Sequence, residues 1–341
     1  MVIFYERKFG LCPYYNNSDP NQPVNGGLPQ NLSLADHLAA VEQQIQVAIP
    51  NPNFSGPAVI DLEEWRPLYK MNWGSQRVYR NQSVKLVQEK NSQVTLEEAD
   101  EQAEKEFNDA AREFFVKTLE TARKIRPYAR WGYYGYPYCN VNAGLEANDY
   151  TCKKDARNYN NELAFIYNAS TALFPSIYLR GEKTAGRSSR FIQALLNETR
   201  RIATSAITRP NILVYSKFEY DPYNAMDSFY NESDLCNTIK LPSVLGASGI
   251  IIWSASKNMK KRCNGIADYI DKHFGPCLLR TRVQTLYCRK SRCSGNGNCV
   301  LSKPVSRCNM NFSSEKNYKC ICDEGYSGDD CSSSNLQLGS S

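Results

Sequence analysis

Residues 58–67 read AVIDLEEWRP, an apolar run that ends in three carboxylates, Asp61, Glu63 and Glu64. Val59 and Ile60 suit an extended chain, and turn residues flank the stretch, so residues 57–65 read as a buried strand. Acids placed against Val59, Ile60 and Leu62 carry a desolvation cost, which implies a use for them. Side chains alternate along a strand, so Asp61 and Glu63 share one face while Leu62 and Glu64 take the other. Two residues apart on a strand means alpha carbons roughly 6.5 Å apart. At that range one negative charge raises the pKa of its neighbour, and one carboxyl stays protonated as a general acid.

Working outward, further buried strands are expected at Val2 to Tyr5, Ala129 to Pro137, Phe174 to Leu179, Asn211 to Phe218 and Ala247 to Trp253. Between them Leu96, Ala99, Ala103, Phe107, Ala111, Phe114 and Ala122 recur at helical spacing. The spacing predicts a helix over Leu96 to Ile125, opened by a Thr95–Glu98 capping box and stopped before Pro127. Strands alternating with helices define an α/β class with a parallel sheet, doubly wound or closed into a barrel. Each strand ends in polar or aromatic residues: Asp61 and Glu63, Tyr134, Tyr178, Tyr215 through Asp221, and Trp253. In a barrel those ends gather at one mouth, where the active site sits. Any one tyrosine or tryptophan there is better explained by packing at the core rim; their recurrence on successive strands beside a carboxylate pair favours a distorted (β/α) TIM-like barrel over residues 1–285.

The chain has 341 residues, 42% of them hydrophobic, enough for one large domain and a small one. Thirteen cysteines accompany eight Asn-x-Ser/Thr sequons, at Asn16, Asn31, Asn53, Asn81, Asn168, Asn197, Asn231 and Asn311. That combination implies the secretory pathway and a glycoprotein, secreted or lysosomal. The opening MVIFYERKFG has none of the features of a signal peptide, so an upstream segment is expected. No run of 18 apolar residues occurs, so no membrane span is expected. The net charge of +6 is mild and dispersed, and no nucleic-acid partner follows from it. A monomer without cofactor or metal is expected, with a disordered tail at 334–341.

From about residue 286 the composition changes. Cys288, Cys293, Cys299, Cys320, Cys322 and Cys331 crowd together, with Cys308 between them. So short a segment needs covalent staples because it cannot bury enough apolar surface. A zinc site competes, but His37 and His273 are the only histidines and no C-x-x-C pair exists. The ending CICDEGYSGDDC resembles an epidermal-growth-factor-like module over 286–333. That resemblance implies the pairs Cys288–Cys299, Cys293–Cys320 and Cys322–Cys331.

Two acids on one strand face cannot easily straddle a glycosidic bond, as two-carboxylate glycosidases require. Substrate-assisted hydrolysis fits better, with the 2-acetamido oxygen of the sugar as nucleophile and both acids on one side. In order along the chain, IFYERKFG, GGLPQNLSLADHL, AVIDLEEWRPLYKMNW, WGYYGYPYC, ALFPSIYLR and GASGIIIW resemble the hyaluronidase family of glycoside hydrolases. The resemblance spans nearly all of residues 1–333. It implies a retaining endo-β-N-acetylhexosaminidase that cleaves β-1,4 bonds in hyaluronan, and in chondroitin as well in many members. By motif it implies Glu63 as acid/base, Asp61 as the group that orients the acetamido nucleophile, and Tyr178 as its hydrogen-bond partner. Tyr134, Tyr5 and Tyr215 would line sugar subsites, Trp253 would pack under the sugar, and Asp221, Ser176 and Arg180 would contact substrate. Cys139–Cys152 would be a disulfide beside the groove.

One departure accompanies the match. Family members carry a first barrel strand upstream of IFY and a cysteine that pairs with the counterpart of Cys263, and neither is found here. With an odd cysteine count, Cys263 is expected to lack a partner. The alternative function is a catalytically impaired glycosaminoglycan-binding or adhesion protein derived from the enzyme. A chitinase-type barrel uses the same chemistry, but its D-G-x-D-x-D-x-E strand is absent.

Overall fold

The structure is a computed structural model that describes residues 1–181, 184–308 and 317–334. The sequon at Asn311 and the tail from 335 lie outside the described residues. Spatial proximity divides the chain into two units: residues 1–134 with 158–173 and 203–210, and residues 135–157, 174–202 and 211 onward.

In the first unit, β1 (Val2–Tyr5) lies parallel to β2 (Pro57–Asp61), with Val2 opposite Ala58 and Tyr5 opposite Asp61. On its other side β2 pairs in parallel with β3 (Arg130–Tyr133), Ile60 facing Tyr133. Parallel neighbours need crossovers, and helices supply them. The first, α1 (Leu34–Ala48), starts at Ser33, whose side chain accepts from the Asp36 N–H, and buries His37, Val41 and Ile45. Then come α2 (Arg77–Lys90) and the long α3 (Leu96–Ile125). The Thr95–Glu98 capping box forms, and α3 buries a stripe from Ala99 to Ala122 that includes Phe107, Phe114 and Phe115. Trp65 meets Phe107 and Phe115 edge-on, at 5.7 and 5.5 Å between ring centroids. Its indole N–H donates to the Pro13 carbonyl at 2.9 Å, so the polar end of this buried ring is satisfied.

Strand ends fall short of the expected spans. The strand expected to reach Trp65 stops at Asp61. Past that residue the backbone N–H groups of Glu63 and Glu64 donate to a side chain, that of Glu6, and not to a neighbouring strand. Glu63 therefore stands on a loop, and alternation along a strand does not set its direction.

In the second unit, β4 (Asn211–Ser216) and β5 (Gly249–Ile252) pair in parallel, from Leu213–Gly249 to Ser216–Ile252. Residues 175–177 run along the other side of β4, with Ile177 N–H donating to the Tyr215 carbonyl and Tyr215 N–H to that of Pro175. Of the expected strand 174–179, Phe174 and Ser176 form isolated bridges and no continuous strand runs through it. Helix α4 (Met259–Tyr269) passes through a π turn at Ile270–Phe274 into α5 (Gly275–Arg292). An antiparallel hairpin follows, β6 (Gly297–Leu301) with β7 (Tyr318–Cys322).

Five disulfides form: Cys139–Cys152, Cys236–Cys308, Cys288–Cys299, Cys293–Cys320 and Cys322–Cys331. Cys308, extra to the six-cysteine pattern, thus ties the C-terminal segment back to the turn of helix at Cys236–Lys240. Cys12, Cys263 and Cys277 remain as thiols, the first buried and the second exposed. Among the described residues no helix is long and apolar enough to cross a membrane.

In three sequons the hydroxyl residue, within a helix at Ser83 and Thr199 and just past the end of one at Ser170, bonds back along that helix. The hydroxyls of Ser83, Ser170 and Thr199, each buried, donate at 2.8 Å to the carbonyls of Tyr79, Ile166 and Leu195, one turn back.

Candidate active site

The C-terminal edge of the first unit's sheet holds the acids. Tyr5 and Asp61 end adjacent strands, and Tyr134 N–H donates to the Ile60 carbonyl at 2.9 Å, so all three lie at the same edge. Asp61 is partly buried, and its Oδ1 is enclosed with no hydrogen-bond partner among the described residues. An unpartnered buried acceptor costs free energy unless a ligand satisfies it.

Glu63, two residues past the strand end, is held by its backbone at both ends. Its N–H donates to Glu6 Oε2, which also accepts from the Glu64 N–H at 3.3 Å. Gln76 Nε2 donates to the Glu63 carbonyl at 2.9 Å and to that of Glu64 at 3.2 Å. Asn72 anchors the next residues, accepting from the Arg66 N–H at 2.8 Å and donating back to the Arg66 carbonyl. Glu64 itself points to Arg7, with Nη2 and Oε1 2.6 Å apart. That ion pair engages the Glu64 side chain, although its charge still adds to the rise of Glu6.

Three carboxyls then remain close together. Burial pushes Asp61 up to about 7, and the charges of Glu63 and then Glu6 add to the rise. Burial also raises Glu63, against the opposing pull of the Arg66 guanidinium. Glu6 is raised by its own burial, which the bond from the Glu63 N–H partly offsets. Like charges this close cannot all ionise near neutrality, so the cluster retains a proton. It can therefore donate a proton and offer a carboxylate at once.

The second unit presents an aromatic surface. Tyr178 and Trp253 stack with centroids 6.1 Å apart, and Tyr223 lies 6.5 Å from Trp253. Lys217 sits over the Tyr178 ring at 5.2 Å and donates to the Tyr220 carbonyl. Burial lowers the Lys217 pKa, and the nearby Arg180 charge lowers it further. Arg180 is exposed, and Ser176 bridges to Tyr215 in the short parallel contact. Tyr215 is buried with its ring edge-on to Phe174 at 6.1 Å. Asp221 caps its own turn: Oδ1 accepts from the N–H groups of Tyr223 and Asn224, and Oδ2 from the Asn224 amide. These bonds, that from the Asn224 side chain foremost, hold its carboxyl below the usual range.

The segment after β5, which carries Trp253, is fixed by a buried ion pair. Arg262 donates to Glu219 through Nε and Nη2, and to the carbonyls of Ala255 and Lys257 through Nη1, both at 2.8 Å. Its Nη2 also donates to Ser254 Oγ at 2.9 Å. Sequence reasoning did not pick out Glu6, Gln76, Lys217, Glu219 or Arg262. Lys217 and Glu219 had a usable signal, since both lie in the Tyr215 to Asp221 stretch at an expected strand end; the others act across the chain on residues far from their own stretch. Among the described residues no cluster of three or more His, Cys, Asp or Glu could hold a metal ion.

Residues 1–319 match the family profile described as Hyaluronidase, glycoside hydrolase family 56. The chondroitin hydrolase of Caenorhabditis elegans is 36% identical over 340 residues, covering 99% of this chain and 73% of that protein. Human hyaluronidase-1 is 37% identical over 307 residues, covering 88% and 69%. Among solved structures, bee venom hyaluronidase in complex with a hyaluronic acid tetramer superposes with a TM-score of 0.74 at 31% identity, over 82% of this chain and 87% of that one.

Proposed function

The chain belongs to the hyaluronidase family of glycoside hydrolases, with the α/β fold of bee venom hyaluronidase, and from this we propose a reaction and its residues. It hydrolyses the β-1,4 N-acetylhexosaminide bonds of hyaluronan, and of chondroitin, with retention of configuration. The observation that supports the reading best is the enclosed Asp61 oxygen without a partner, beside a second carboxyl whose pKa is raised. An acetamido N–H of the substrate would supply the missing donor.

In the first step the acetamido carbonyl oxygen attacks the anomeric carbon while Glu63 gives its proton to the departing glycosidic oxygen. Asp61 accepts from the acetamido N–H and stabilises the positive charge of the resulting oxazolinium ion. In the second step Glu63, now a carboxylate, takes a proton from water as that water attacks the anomeric carbon and reopens the ring. The acid is thereby regenerated. Tyr178 donates to the acetamido oxygen; Tyr5, Tyr134 and Tyr215 line sugar subsites, and Trp253 packs under a sugar face. Arg180 contacts the uronate carboxylates, and Ser176 and Asp221 complete the substrate contacts.

The C-terminal segment is read as an epidermal-growth-factor-like module, supported by its three disulfides, two interleaved and the third following them. The sequons and disulfides support a secreted or lysosomal glycoprotein.

The test is reducing-end release from hyaluronan and from chondroitin, wild type against Glu63→Gln. Release by the wild type and loss of about 1,000-fold or more in the variant, with binding retained, is expected for a general acid in this role. Binding without hydrolysis by the wild type would instead show a glycan-binding protein.

A further inference from the structure

We infer that Glu6 is a positioning residue for the proposed general acid: its carboxylate fixes the Glu63 backbone and adds a third negative charge to the Asp61–Glu63 pair. The inference rests on Glu63 being that acid. Glu6 follows β1 directly, and Tyr5 is in register with Asp61, so the sheet brings Glu6 to the same edge as the acids. Its Oε2 accepts from two successive N–H groups, those of Glu63 and Glu64, across 57 and 58 residues of sequence. Such a pair of bonds does for the loop what a ladder partner does for a strand, and it ends the strand where the acid is needed.

A neutral acceptor would serve that purpose alone. A carboxylate does more, because it brings charge to a place already short of cations. The groups around it can be named. Arg7, the next residue, is engaged by Glu64 and lies 5.0 Å over the Tyr14 ring. Arg66 acts on Glu63 and is held by the Met71 carbonyl, at 3.0 Å, and by Gln76. The Cys12 thiol and the Tyr79 hydroxyl both feel the Glu6 charge, and burial keeps both protonated. Asp61 and Glu63 are the groups left to respond. The Glu6 charge is among the causes that raise Asp61, and an anion held against the Glu63 backbone favours the protonated form of that acid by the same Coulomb effect, which keeps it protonated at a higher pH than the pair alone would.

The experiment compares pH–rate profiles of wild type, Glu6→Gln and Glu6→Ala on hyaluronan, with Glu63→Gln alongside. The glutamine amide oxygen can accept from the same two N–H groups but carries no charge. Both limbs of its profile should move to lower pH by about half a unit or more. Glu6→Ala loses the acceptor as well, and its kcat should fall about tenfold or more with KM changed less than about threefold. Thermal unfolding of each variant checks that it folds. A Glu6→Gln profile that superimposes on the wild type, or wild-type kcat in Glu6→Ala, overturns the inference. If Glu63→Gln is itself fully active, the reading of Glu63 as the acid fails, which is a separate outcome.

Discussion

Asp61 destabilises the fold when it ionises. Its folded-state pKa of about 7 lies above the ordinary value of 3.8. Between those values the native state holds a proton that the unfolded chain has released, so stability falls as pH rises through the window and the full cost is present above it. Asp61→Asn should therefore raise the melting temperature at pH 8, and the gain should shrink to nothing towards pH 4. Differential scanning calorimetry at the two pH values measures this; an equal gain at both would show that the charge is not its source. The same variant keeps an amide oxygen that can accept from the acetamido N–H but loses the charge proposed to stabilise the oxazolinium ion, so hydrolysis should fall with it. At the next position but two, Glu64→Gln breaks only the ion pair to Arg7, whose side chain is half exposed. Its effect on kcat should stay within about tenfold, set against the loss in Glu63→Gln, because the Glu64 side chain is engaged by Arg7 and takes no proposed part in the chemistry.

At the scale of elements, the Glu219–Arg262 pair is the structural member behind Trp253. Neither residue reaches solvent, and Arg262 supplies donors to two carbonyls besides. Arg262→Met leaves Glu219 buried without its counter-ion and should cost roughly 3 to 5 kcal/mol, with Glu219→Gln/Arg262→Met recovering part of it. Denaturant unfolding of the two variants gives the comparison; a double variant no better than the single would mean the stranded charge is not what costs. Elements built on local pattern were legible in the sequence: β1 spans Val2–Tyr5 and α3 spans Leu96–Ile125 as the spacing predicts, capping box included. The strand through AVIDLEEWRP was read four residues too long, because what ends it is the side chain of Glu6, some 57 residues away. The same distance hid the holding of Glu63 from any reading by alternation. Arg262, in KKRC, looks like one more surface cation until the fold closes around it.

For the whole molecule, disulfides leave three thiols in very different surroundings. Cys263 is exposed, Cys277 half-buried, and Cys12 enclosed with its thiol pKa pushed well above the ordinary value. Alkylation of the native protein should modify Cys263 first and leave Cys12 untouched until denaturant is added, as mass spectrometry of peptides would show. Early modification of Cys12 would mean that the region beneath the acids opens readily in the native state. The buried hydroxyls of Ser83, Ser170 and Thr199 set a comparable restriction, but in time. A transferase that reads Asn-x-Ser/Thr needs an accessible hydroxyl on a pliable chain, and after folding each of these is buried and committed to a carbonyl one turn back. Any sugar on Asn81, Asn168 or Asn197 must then arrive on the nascent chain, before its helix closes. Whether those sites carry sugars is thus a race between translocation and helix formation, and a finished molecule that missed the moment has no second chance.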